Sequence, residues 1–201
     1  GRVMAALTHI AQSTLGLTMT GITEVALGAS GASSTMPQKQ NPVGPSAIIA
    51  LGHQFTGQRV TLQAAAAHQH QRDGGAWFSE WMAVPQLTLC LASALSHAKR
   101  LASGISPHPV KMHSALHAEL GLIHAEALSF ALAEFMPRPE AQRITKQLCL
   151  DALEKQVPLA DLVHADYPSV PGSLFDPAAQ LGQAPHDAAA FVSRARAMSN
   201  S

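Results

Sequence analysis

Aromatic residues are scarce in this chain, Phe, Trp and Tyr making up 4% of its 201 residues. Sheets are built from alternating β-branched and aromatic side chains, and no such run stands out, so the reading is all-α. Charge is scarce too. Charged residues make up 13%, and 13 basic side chains balance 13 acidic ones. With no basic stripe, nucleic acid is not expected as a partner. The two cysteines, Cys90 and Cys149, each sit in an apolar helical context. That excludes a disulfide framework and fits free thiols in a reducing cytoplasm. No apolar run reaches membrane-spanning length, because Pro85 and Gln86 interrupt the best candidate. No signal peptide is visible, so the expected location is the cytoplasm.

What is present is helical periodicity. Apolar residues recur at Leu7, Ile10, Ala11, Leu15 and Leu17, then at Met19, Ile22, Val25 and Ala26. This spacing predicts one helix over residues 1–28, closed by Gly28. The chain is expected to begin inside a helix, as a fragment of a longer protein does. A second helix is expected from Gly44 to Gln71, ended by Asp73-Gly74-Gly75, and a third from Trp77 to Ser103. The boundary Gly104-Ile105-Ser106-Pro107-His108-Pro109 closes a first domain, 1–105. Shorter helices near 109–119, 122–136, 138–154 and 186–198 make a second, 106–201. The first 105 residues are expected to form long near-antiparallel rods without any sheet. Rods that are apolar on several sides, at Ile48, Ile49, Phe55, Leu91 and Leu95 for example, call for partner copies.

Between the first two rods lies a loop, residues 29–42, unlike the rest. Its core reads Gly31-Ala32-Ser33-Ser34-Thr35-Met36-Pro37-Gln38-Lys39-Gln40-Asn41-Pro42. Glycine gives such a loop freedom to move. The serines offer a small oxygen nucleophile or base, Lys39 a point charge, and Asn41 a neutral partner for carboxylate oxygens. Pro42 and Pro45 suit the first turn of the next helix, whose positive end faces the loop. These parts suit chemistry on a carboxylate-bearing carbon skeleton.

In that order, Ser-Ser-x-Met-Pro-x-Lys-x-Asn-Pro resembles the signature loop of the fumarase/aspartase superfamily. Ser33, Ser34, Met36, Pro37, Lys39, Asn41 and Pro42 match; Ala32 stands where glycine is usual. The segment from His68 to Trp81 separates the branches. Adenylosuccinate lyases are similar here but carry serines and an arginine that grip a nucleotide phosphate. Trp77, Phe78 and Trp81 stand in those places, and indole rings make no charge-assisted phosphate bonds. The pattern His-x-Arg…Trp-x-x-Glu-Trp instead looks like the 3-carboxy-cis,cis-muconate cycloisomerases. Asp176-Pro177-Ala178-Ala179-Gln180-Leu181-Gly182 resembles the tail of that family.

The resemblance implies a long-helix bundle with a smaller helical C-terminal domain, a homotetramer, and no cofactor or metal. It implies a small tricarboxylate substrate that closes to a lactone in protocatechuate catabolism. Ser33 is then the proton-transfer group. Ser34, Thr35, Lys39 and Asn41 bind substrate, and Arg72 is a candidate for a further carboxylate. A bland role for Arg72, as a cation at a helix C-terminus, is equally open. So are two other readings: a fumarate-releasing lyase of the superfamily, and a non-catalytic assembly module. His113 and His117 stand four apart, a metal-capable spacing without a third ligand in view. The family's key histidine belongs to an N-terminal half that this chain is expected to lack.

Overall fold

Among the described residues, three long helices, two short antiparallel ladders and the start of a further helix build Gly1–Met112, the first of two units; the second is His113–Ser201. The computed structural model describes residues 1–28, 31–32 and 40–199. Helix α1 is Arg2–Leu17 and α2 is Val43–Ala65. Helix α3 is Gly74–Gly104, which keeps Pro85 inside it. Helices α2 and α3 pack along each other, and α1 lies on α2. Met4, Phe55, Leu87, Cys90 and Ala94 form their shared core. At Gly52 the two helices α1 and α2 touch closely. A Cβ on Gly52 would strike the Thr8 hydroxyl, which itself donates to the Met4 carbonyl at 2.9 Å.

Two sequence expectations fail in this unit. Residues 1–28 are not one helix. α1 stops at Leu17, and the chain turns through Gly21 at φ 94° and Thr23 at φ 46°. The Glu24 amide closes that turn on the Leu17 carbonyl at 2.9 Å. The residues 18–25 hold Thr18, Thr20, Ile22, Thr23 and Val25, whose β-branching disfavours helix. The unit is also not free of sheet. Strand β1, Val25–Leu27, pairs antiparallel with β4, Ile105–Pro107. Strands β2, Gly31–Ala32, and β3, Gln40–Asn41, pair likewise.

The second junction is also corrected. Helix α2 ends at Ala65, and Asp73 opens α3 rather than closing α2. Its carboxylate accepts from the amides of Gly75 at 3.0 Å, Ala76 at 3.3 Å and Gln69 at 3.0 Å. Asp is a strong N-cap because it satisfies orphan first-turn amides. Those bonds, Gln69's first and then Ala76's, hold the Asp73 carboxyl below its ordinary pKa.

Helix α4, Pro109–Leu116, begins in the first unit. The second continues with a 3-10 turn at Glu119–His124, α5 at Ala125–Leu132, α6 at Arg138–Lys155, α7 at Leu159–Asp166 and α8 at Ala184–Ser199. Leu128, Leu132, Leu148, Leu159, Val163 and Val170 are among its core. Helix α7 was not expected, since Pro158 reads as a breaker; here it caps the helix from outside, where proline costs nothing. No helix among the described residues is long and apolar enough to cross a membrane.

The rods are better covered than their sequence suggests. Ile48 and Phe55, expected to need a partner copy, are 0% and 8% exposed. Leu95, of the same set, stays uncovered, and so do Val60, Trp81, Met82 and Leu89.

Candidate functional site

The ladders gather the roots of the signature loop at one end of the helices. Strand β4 follows α3 directly, and its pairing with β1 brings the chain before the loop onto the end of α3. Gly28 continues that contact, its amide donating to the Gly104 carbonyl at 2.8 Å. A Cβ on Gly28 would lie 3.0 Å from that oxygen and 3.2 Å from the Gly104 Cα. Only glycine fits so close a backbone approach without something shifting. Strands β2 and β3 pair Gly31 with Asn41, and Pro42 then starts α2 with no side chain capping it.

Asn41 is half-buried in β3, beside the positive end of α2. Ser33, Ser34, Thr35 and Lys39 lie outside the described residues, as does the expected mobility of the loop.

Arg72 does not join them. It is exposed, at φ 61°, in the turn between α2 and α3, so the role of a helix C-terminal cation does not apply. Asn41 adjoins the start of α2 and Arg72 lies past its end. With 23 residues in α2, that separation is roughly 35 Å at a rise of about 1.5 Å per residue. No single carboxylate skeleton spans it.

The loop root has a different cation. A cavity of about 200 Å³ opens there, lined by Leu27, Val43, Pro45, His97, Arg100 and Leu101 among others. An Arg100 guanidinium N–H donates to His97 Nδ1 at 3.0 Å. Neither residue stands out in the sequence, because both belong to no motif and sit on an ordinary polar face of α3. The available signal was their i,i+3 spacing within two turns of the Gly104 boundary.

Past the turn that holds Arg72, three aromatic residues in the first turns of α3 form one cluster. Trp77 and Trp81 stack with centroids 6.2 Å apart, and Phe78 meets Trp81 edge-on at 5.5 Å. Phe78 and Trp81 remain 60% and 62% exposed. His68 Nε2 lies 3.5 Å from Glu80 Oε1 and ties the turn to α3.

In the second unit the rings of His113 and His117 lie 4.5 Å apart. No third His, Cys, Asp or Glu joins them among the described residues. Cys90 and Cys149 are both free, and burial pushes the Cys149 thiol pKa up.

No model of a protein family matches the chain. It is 36% identical over 83% of its length to the 3-carboxy-cis,cis-muconate cycloisomerase of Pseudomonas aeruginosa, and it spans 37% of that relative. The crystal structure of the 3-carboxy-cis,cis-muconate lactonizing enzyme from Pseudomonas putida is similar with a TM-score of 0.80 and 32% identity. That match covers 95% of this chain and 44% of the other. A fumarate lyase from Mesorhizobium sp. BNC1 is similar with a TM-score of 0.78 and 28% identity, over 90% of this chain and 42% of that one. The chain belongs to the fumarase/aspartase superfamily, in which it matches part of the 3-carboxy-cis,cis-muconate cycloisomerases.

Proposed function

We propose that this chain is the loop-bearing part of an enzyme that lactonises 3-carboxy-cis,cis-muconate in the protocatechuate branch of aromatic breakdown. The observation that carries the reading is 36% identity over 83% of the chain to a cycloisomerase of that name. The substrate is a small tricarboxylate, the complete protein is a cytoplasmic homotetramer, and no cofactor takes part.

In this reaction one substrate carboxylate oxygen forms a C–O bond β to another carboxylate. The π electrons move onto that second carboxylate as an aci-carboxylate, and its α-carbon then takes a proton, so substrate and product are isomers. Negative charge develops on the second carboxylate, and fixed donors there lower the barrier. Lys39 and Asn41 fill that role, with Ser34 and Thr35 as further donors. Ser33 handles the α-carbon proton, as the matching serine does in superfamily lyases. A serine base needs activation, which the loop amides and the α2 dipole supply in part. Arg72 serves a further carboxylate from a second copy, since α2 separates it from the loop of its own chain.

A lyase releasing fumarate from a succinyl adduct is the second reading, and Trp77, Phe78 and Trp81 weigh against its nucleotide form. The test offers each substrate to the protein of the full reading frame. Lactonisation interrupts the conjugated diene, so ultraviolet absorbance falls with 3-carboxy-cis,cis-muconate. Fumarate release from adenylosuccinate or argininosuccinate, with the diene untouched, would instead establish the lyase.

A further inference from the structure

We propose that the cavity at the loop roots is a carboxylate-binding site in which Arg100 holds one carboxylate group and His97 positions the guanidinium. It is additional to the loop's own Lys39 and Asn41. Arginine is a donor only, so its 3.0 Å bond to His97 Nδ1 makes Nδ1 the acceptor. In neutral imidazole the proton then sits on Nε2, on the side of the ring facing away from the guanidinium, so His97 positions Arg100 rather than donating to the same carboxylate. The guanidinium keeps its remaining N–H groups. Among the described residues Arg100 has no acidic partner, the contacts between acidic and basic side chains there being His68–Glu80, Lys155–Asp151 and His186–Asp187.

A plainer role for Arg100 is to neutralise the carbonyls that end α3. Two of those are already bonded: the Leu101 carbonyl accepts from the Ile105 amide, and the Gly104 carbonyl accepts from the Gly28 amide at 2.8 Å. The guanidinium reaches the imidazole instead. The cavity it borders carries no acidic side chain among its described lining. The other walls are apolar, supplied by Leu27, Val43, Pro45 and Leu101. A planar fork of donors suits carboxylate and phosphate alike, and the apolar walls are what favour an anion carried on a carbon skeleton over inorganic phosphate. At about 200 Å³ the space holds a short-chain acid.

The site rests on the geometry of the first unit and not on the proposed reaction. The test titrates the 201-residue chain with acetate, propane-1,2,3-tricarboxylate and inorganic phosphate. Binding is read by isothermal titration and by the backbone amide shifts of Gly44 and Gly104. The expected result is saturable carboxylate binding that moves both amides, with phosphate weaker. Arg100→Ala weakens it about tenfold or more, the usual cost of losing charge-assisted bonds. Arg100→Lys restores it only in part, and His97→Gln weakens it less than Arg100→Ala. Equal affinity for acetate and the tricarboxylate marks a site for any lone carboxylate, and tighter tricarboxylate binding marks a substrate-sized one. Absence of saturable shifts, affinity unchanged in both Arg100→Ala and His97→Gln, or phosphate binding as tightly as carboxylate would overturn the proposal. A protein that lactonises nothing yet binds the tricarboxylate here would sink the proposed reaction and leave this site standing.

Discussion

Gly52→Ala tests the packing that orients the loop-bearing helix. Alone, the exchange helps α2, since alanine is better than glycine in a helix interior by about 1 kcal/mol. Against that, the new Cβ strikes the Thr8 hydroxyl on α1, and overpacking of this kind costs about 1–3 kcal/mol. The net expectation is a loss of roughly 0–2 kcal/mol. Thr8→Ala removes the obstructing hydroxyl and methyl, leaving the residue 8 Cβ at 3.5 Å, an ordinary contact. In that background Gly52→Ala should stabilise by about 1 kcal/mol. The coupling between the two changes is therefore about 1–3 kcal/mol and of compensating sign. Urea unfolding of the four proteins at one fixed concentration measures it, the fixed concentration removing any effect of self-association. Simple additivity would refute the close α1–α2 crossing.

Gly28→Ala should destabilise the first unit by about 1–3 kcal/mol, because the added methyl meets Gly104 backbone that has no flexible side chain to yield; a melting temperature within a degree or so of the parent would contradict this. Asp73 has its pKa lowered in the folded state, so its contribution is complete above the unfolded-state value of about 3.9 and is lost as pH falls through the folded value. A carbon-13 titration should place its midpoint below that of an ordinary aspartate, and Asp73→Ala should abolish that part of the acid sensitivity along with amide-exchange protection at Gly75 and Ala76. The chain alone should associate through its uncovered side chains, such as Trp81, Met82, Leu89 and Leu95. Sedimentation showing a monomer at tens of micromolar, a concentration roughly typical of weak association, would refute that.

The helical class was legible because three long rods carry their apolar residues at helical spacing and few aromatic residues compete for sheets. The strands were not legible. Val25–Leu27 and Ile105–Pro107 are three residues each, too short for alternation to register, and their partners lie far apart in sequence. The Asp73 cap is ambiguous in sequence because Asp-Gly-Gly serves equally as a stop for one helix and a start for the next. Asn41 was legible from its motif. His97 and Arg100 were not, because an arginine near a helix end is common and only the three-dimensional return of α3 to the loop root gives it company. The separation of Arg72 from Asn41 follows from the length of α2 alone, 23 residues, and was legible in the helix expected between them.

The central claim is that the signature loop performs lactonisation, and Lys39→Ala in the protein of the full reading frame tests it most directly. Truncating one partner of a buried charge pair costs about 2–5 kcal/mol, which is a rate loss of roughly 30-fold or more. The measurement is the rate at which 3-carboxy-cis,cis-muconate loses its diene absorbance, with thermal melting as the check on folding. The account predicts rapid lactone formation by the parent protein and a collapse of that rate in the variant at an unchanged melting temperature. A folded variant turning over at near the parent rate would contradict it.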